Sequence, residues 1–65
     1  MDDDPLMIDV DAGAYIGGKK PVPPSTMQWW RHMGRGPKYL KVGRAVRYRR
    51  SHLDEFLAEG EREHA

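Results

Sequence analysis

Sixty-five residues allow one domain with a single small core, near the size at which such a core is only marginally sufficient. No cysteine is present, which excludes disulfide staples, thiolate metal sites and a cysteine nucleophile, and no apolar run approaches the length of a membrane span or a signal-peptide core. A soluble intracellular protein is the expectation. The net charge of +1 conceals a strong segregation: Asp2, Asp3, Asp4, Asp9 and Asp11 lie at one end and Asp54, Glu55, Glu59, Glu61 and Glu63 at the other. Between Ala12 and Leu53 there is no acid, while Lys19, Lys20, Arg31, Arg35, Lys38, Lys41, Arg44, Arg47, Arg49 and Arg50 supply ten positive charges. A block of this kind is the electrostatic footprint of a polyanion-binding surface.

In chain order, residues 1–6 read as a flexible acidic tail, residues 7–59 as the folded domain and residues 60–65 as a second flexible tail. Asp9 suits a helix N-cap, Asp11 the first turn, and Ala12, Tyr15 and Ile16 recur at helical spacing before Gly17-Gly18 ends the helix. Gly13 costs such a helix about 1 kcal/mol relative to alanine; it marks either a close backbone approach or simple tolerance. The connector Lys19-Lys20-Pro21-Val22-Pro23-Pro24 is stiff and extended, because its prolines remove donors and constrain the residues before them.

Pro24 fits the first position of a second helix running to about Met33, before Gly34-Arg35-Gly36-Pro37 breaks it. At 100° per residue, Met27 and Trp30 share the core side, flanked by Thr26, Met33 and the stem of Arg31. Ser25, Gln28, Trp29 and His32 take the opposite side, whose polar groups are of the kind that read base edges. Trp29 is the odd residue there: it packs under the proline connector, meets a thymine methyl group, or contacts another protein.

The stretch from Gly36 to Arg50 reads as a small basic β-hairpin. Alternation puts Leu40, Val42, Val46 and Tyr48 on one face and Lys41, Arg47 and Arg49 on the other, which requires a three-residue loop, Gly43-Arg44-Ala45. Lys41 then opposes Arg47, a like-charge pair that an anionic partner would relieve; the other reading is an edge hairpin using charge to prevent sheet extension. Ser51 suits the N-cap of a third helix, with Asp54 three residues on, Leu53, Phe56 and Leu57 forming its apolar face and Gly60 ending it. The order helix, helix, two-stranded wing, helix is that of a winged helix-turn-helix, a mainly α fold with a small β-hairpin.

The run Gly36-Pro37-Lys38-Tyr39-Leu40-Lys41-Val42-Gly43-Arg44-Ala45-Val46-Arg47-Tyr48-Arg49-Arg50-Ser51-His52-Leu53-Asp54-Glu55-Phe56-Leu57 resembles the pattern G-P-x-Y-x-x-x-G-x-x-V-R-Y-x-x-S-x-L-x-x-F-L of the small phage and integrative-element excisionases, or recombination directionality factors. These share a winged-helix fold related to the mercury-resistance-type regulators. Residues 12–18 resemble the family's opening helix, with Gly13 in place of a common alanine, and residues 24–31 resemble its recognition helix, with Trp30 at the usual core tryptophan. The resemblance implies a non-enzymatic protein of the bacterial cytoplasm, associated with the nucleoid. Such a protein binds several neighbouring attachment sites on double-stranded DNA, in some cases by cooperative self-association, bends them and helps an integrase choose excision. Prophage-type transcriptional regulators share the pattern, and a small protein-interaction module with a basic face is a third reading.

The implied contacts are Ser25, Thr26, Gln28, Trp29, Arg31 and His32 from the recognition helix. The wing adds Lys41, Arg44, Arg47, Arg49 and Arg50, and the intervening loop Arg35 and Lys38. Arg44 leads at the wing tip, since a narrow minor groove attracts arginine; a solvated loop arginine is the plainer account. The other cations suit phosphates, which position a protein without reading sequence. His32, His52 and His64 lack metal-ligand spacing, so neither metal nor cofactor is expected. Ser51, His52 and Asp54 fall together at a helix start, where capping rather than catalysis accounts for two of them.

Overall fold

A computed structural model describes residues 4–64, with side chains described to residue 60. Backbone pairing begins at once: β1 (Leu6–Met7) leads into α1 (Asp9–Gly17), followed by α2 (Pro24–His32), β2 (Leu40–Val42), β3 (Ala45–Arg49) and α3 (Arg50–His64). The helices and the antiparallel hairpin make a winged helix-turn-helix, as the order of sequence signals indicates. The strand order is β1-β3-β2, so the sheet has one strand more than the two-stranded wing expected. Two residues between an acidic run and a helix are too few to show a strand period.

Residues 4–6, assigned from sequence to the acidic tail, are held in place. Leu6 pairs with Arg49, the Arg50 amide donates to the Pro5 carbonyl at 3.2 Å, and Asp4 reaches α3. Residues 1–3 lie outside the described ones. At the other end, helical backbone continues through Gly60 to His64 instead of stopping at Gly60.

The helix starts differ from expectation in an instructive way. Ile8, not Asp9, is the N-cap of α1, with extended backbone (φ −82°, ψ 173°) and no side-chain cap. Asp9 stands inside the first turn, where a carboxylate is favourable and its side chain is free to pair elsewhere. Pro24 opens α2 as expected, and the Pro23 carbonyl accepts from Thr26 and Met27. Ser51 lies within α3 rather than capping it; the cap comes from Asp4, whose Oδ1 accepts the Ser51 amide at 2.8 Å and whose Oδ2 accepts the Ser51 hydroxyl at 2.9 Å.

Ala12, Met27, Tyr48 and Leu53 are fully buried, and Met7, Ile16, Val22, Trp30 and Val46 pack around them. Trp30 meets Phe56 with ring centroids 5.6 Å apart. Leu57 and Met33, expected to join or flank the core, are instead 40% and 48% exposed. Gly13 is buried at a close approach: a Cβ there would collide with the Val22 carbonyl oxygen, while Val22 N–H donates to the Gly13 carbonyl at 3.1 Å. The connector is thereby laced to α1, which fixes where α2 begins.

The wing register corrects the sequence reading. Leu40 pairs with Arg47, Lys41 with Val46 and Val42 with Ala45, around a two-residue Gly43-Arg44 turn. Gly43 has φ 65° while no described non-glycine residue has positive φ, the pattern of a type II′ turn with glycine first. Such a turn matches strand twist, and it overrides the apolar alternation. Directly opposed residues share a face, so Met7, Val46 and Tyr48 face the core together with Lys41 at the sheet edge. Leu40, Val42, Arg47 and Arg49 lie on the other face; Val42 is 53% exposed. The expected Lys41–Arg47 repulsion does not arise, since the two side chains stand on opposite faces.

Candidate nucleic-acid interface

On α2 the exposed side is that expected: Ser25, Gln28, Trp29 and His32 are exposed, and Thr26 is half-buried beside them. Arg31 is turned away from this group. Its Nη1 donates to Asp9 Oδ1 and to the Tyr48 hydroxyl, both at 2.8 Å, and only 17% of its side chain is accessible. The guanidinium also lies 5.8 Å from the centre of the Tyr39 ring. Burial works against its charge, but the bonds to Asp9 and Tyr48 outweigh that and hold its pKa above the ordinary value. Burial likewise pushes the Tyr48 hydroxyl up, with Arg31 opposing the rise. Arg31 thus ties α1, α2 and β3 together and is removed from the reading face to which sequence assigned it.

Beyond α2, the loop from Gly34 to Tyr39 carries Arg35 and Lys38, both exposed. Arg35 places its guanidinium 5.7 Å from the centre of the Trp29 ring. Lys38 Nζ is 3.7 Å from Glu55 Oε1, an exposed pair of little energetic consequence in water. An open groove of about 430 Å³ lies between this loop and α3, lined by Arg31, Arg35, Lys38, Tyr39 and His52.

In the wing, Arg44 is exposed at the turn and Lys41 is exposed one strand position back from Val42. Arg47 is half-buried and donates from Nη1 to the Val46 carbonyl at 2.8 Å. Arg49 Nη1 is 3.9 Å from Asp4 Oδ2, and Arg50, the first residue of α3, is half-buried. The Ser51 amide, the Ser51 hydroxyl and Arg49 together keep the Asp4 carboxyl below its ordinary range. Tyr15 donates to Asp54 Oδ1 at 2.6 Å, and that bond raises the tyrosine pKa. Asp54, read as a capping residue, therefore joins α3 to α1.

The structure thus brings Ser25, Gln28, Trp29 and His32 to one exposed helix face, with Arg35 fastened at its end, and leaves Lys41 and Arg44 exposed in the wing, whereas Asp9, Asp4 and Glu55 meet Arg31, Arg49 and Lys38. The positioning roles of Asp4, Asp9, Tyr15 and Tyr39 were missed. The available signal was charge balance, since cations facing inward from an acid-free block must draw their partners from the acidic ends.

The helix-turn-helix domain family matches residues 21–61, which span the proline connector, α2, the wing and most of α3. The chain belongs to the helix-turn-helix domain family. No curated protein and no solved structure matches it. A helix-turn-helix domain is a DNA-binding unit, and membership of the family implies that this chain binds DNA. Among the described residues no cluster of His, Asp or Glu is arranged to hold a metal ion, and no helix of the helix-turn-helix domain is long and apolar enough to cross a membrane.

Proposed function

We propose that this helix-turn-helix domain is an excisionase: it seats α2 in a major groove of attachment-site DNA, sets the wing tip in the adjoining minor groove, bends the duplex and directs an integrase towards excision. It performs no chemistry of its own. Ser25, Gln28, Trp29 and His32 meet base edges, Arg44 enters the minor groove, and Lys41, Arg35 and Lys38 meet phosphates, with Arg47, Arg49 and Arg50 adding positive potential behind them. Neighbouring protomers bind adjacent sites.

The observation that carries the reading is the division of charge in the folded chain. In a DNA-binding domain, the exposed side of α2 bears hydrogen-bonding groups and the loop and wing beyond it exposed cations, and neither α2 nor the wing turn carries a carboxylate, because the acids lie outside residues 12–53. The assignment to excision rests on the resemblance of residues 36–57 to the excisionase pattern. The test is recombination of attachment-site DNA by the neighbouring integrase, with and without this protein. Excision that depends on the protein is expected. Binding to DNA with promoter repression or activation, and no effect on recombination, assigns it instead to transcription.

A further inference from the structure

Two adjacent tryptophans on α2 have opposite surroundings. Trp30 packs against Phe56 and contributes to the core, whereas Trp29 is 50% exposed on the side that carries Ser25, Gln28 and His32. Its exposed ring is nevertheless held. Gly34 (φ 71°) and Gly36 (φ 83°) reverse the chain on either side of Arg35, whose amide donates to the Trp30 carbonyl at 2.7 Å. The loop is thereby fastened to the end of α2 with the Arg35 guanidinium over the Trp29 ring, 5.7 Å from its centre. Among the described residues Arg35 has no carboxylate partner. A guanidinium over an aromatic face is attracted to it, and Trp29 keeps half of its surface open beside that contact.

We propose that Trp29 reads the 5-methyl group of a thymine in the major groove, and that Arg35 is the positioning residue that holds its indole at the required angle. This rests on the reading of α2 as the groove-binding helix. The thymine methyl is the apolar landmark among the polar groups that bases present in the major groove. Trp29, with exposed Met33 one turn on, forms a patch of two apolar side chains bordered by hydrogen-bonding ones. Such a patch suffices to enclose one methyl group. It is far from the ~800 Å² per partner of a typical protein interface, which disfavours a protein contact at this point.

The test uses the full chain. Duplexes are selected from a randomised pool, and each thymine of the tightest-bound duplex is replaced in turn by deoxyuridine, which lacks only the methyl group. At one position the wild-type protein should lose affinity about fourfold, the worth of one methyl taken out of water. Trp29→Ala should bind thymine and deoxyuridine equally there, Trp29→Phe should keep part of the preference, Arg35→Ala should weaken it, and Arg35→Lys, which retains a cation on the ring, should restore it. A wild-type protein indifferent to deoxyuridine at every position, or a preference that survives in Trp29→Ala, overturns the inference while leaving groove binding intact. So does a Trp29→Ala variant with unchanged DNA preference that has lost its hold on integrase, which makes the residue a protein contact. Failure of the wild-type protein to enrich any duplex removes the underlying reading itself, and the inference with it.

Discussion

Arg31 shows how one residue can satisfy every local rule and still have its role decided elsewhere. Its angle on α2 puts its stem beside Met27 and Trp30, which the helical spacing makes legible; that its head is held by Asp9, 22 residues earlier, and by Tyr48, 17 residues later, is not. Asp9 and Arg31 are 20% and 17% exposed, so removing the carboxylate leaves a guanidinium largely cut off from water. Asp9→Ala should lower unfolding free energy by about 2 kcal/mol in urea titrations, more than an exposed ion pair contributes. Gly13 is the second such case. Alanine is the better helix former by about 1 kcal/mol, yet its methyl group would strike the Val22 carbonyl; Gly13→Ala should therefore destabilise by roughly 1–3 kcal/mol in the same assay. A gain in stability would show that the connector can move off α1 at no cost. The sequence presented close approach and tolerance as alternatives, and only the folded connector distinguishes them.

At the scale of elements, the helices and the hairpin are legible because each is bounded by proline, glycine or a periodic apolar face, but their junctions are not. The wing illustrates the limit: alternation favours a three-residue loop, whereas the backbone preference of Gly43 for the first position of a two-residue turn prevails and carries Leu40 and Val42 to the other face. The start of α3 is likewise completed from a distance, by Asp4. Because that carboxyl titrates below its ordinary value of 3.8, the favourable contact it makes is fully present above 3.8 and is lost as pH falls through its lower, folded-state value. The Ser51 amide resonance should follow this titration below 3.8, and Asp4→Asn should abolish the pH dependence. An Asp4 that titrates at its ordinary value, with Ser51 unaffected, would show that β1 does not deliver a cap to α3.

For the whole molecule, the acidic ends and the basic middle of the chain have distinct uses. Carboxylates from the ends meet cations that face inward or flank α3, and Arg35 at the end of α2 and Lys41 and Arg44 in the wing are left exposed. This division was legible as a charge count; which individual cations remain outward, and so which face carries them, depended on the register and on partners distant in sequence. The central claim is that this face grips the phosphate backbone of DNA. The most direct measurement is the affinity for duplex DNA across a salt series. The logarithm of the binding constant should fall linearly with the logarithm of salt concentration, with a slope of about −0.9 for each phosphate neutralised, and Lys41→Ala, which removes a phosphate contact, should reduce the magnitude of that slope by about one. An affinity that does not change with salt would contradict the account.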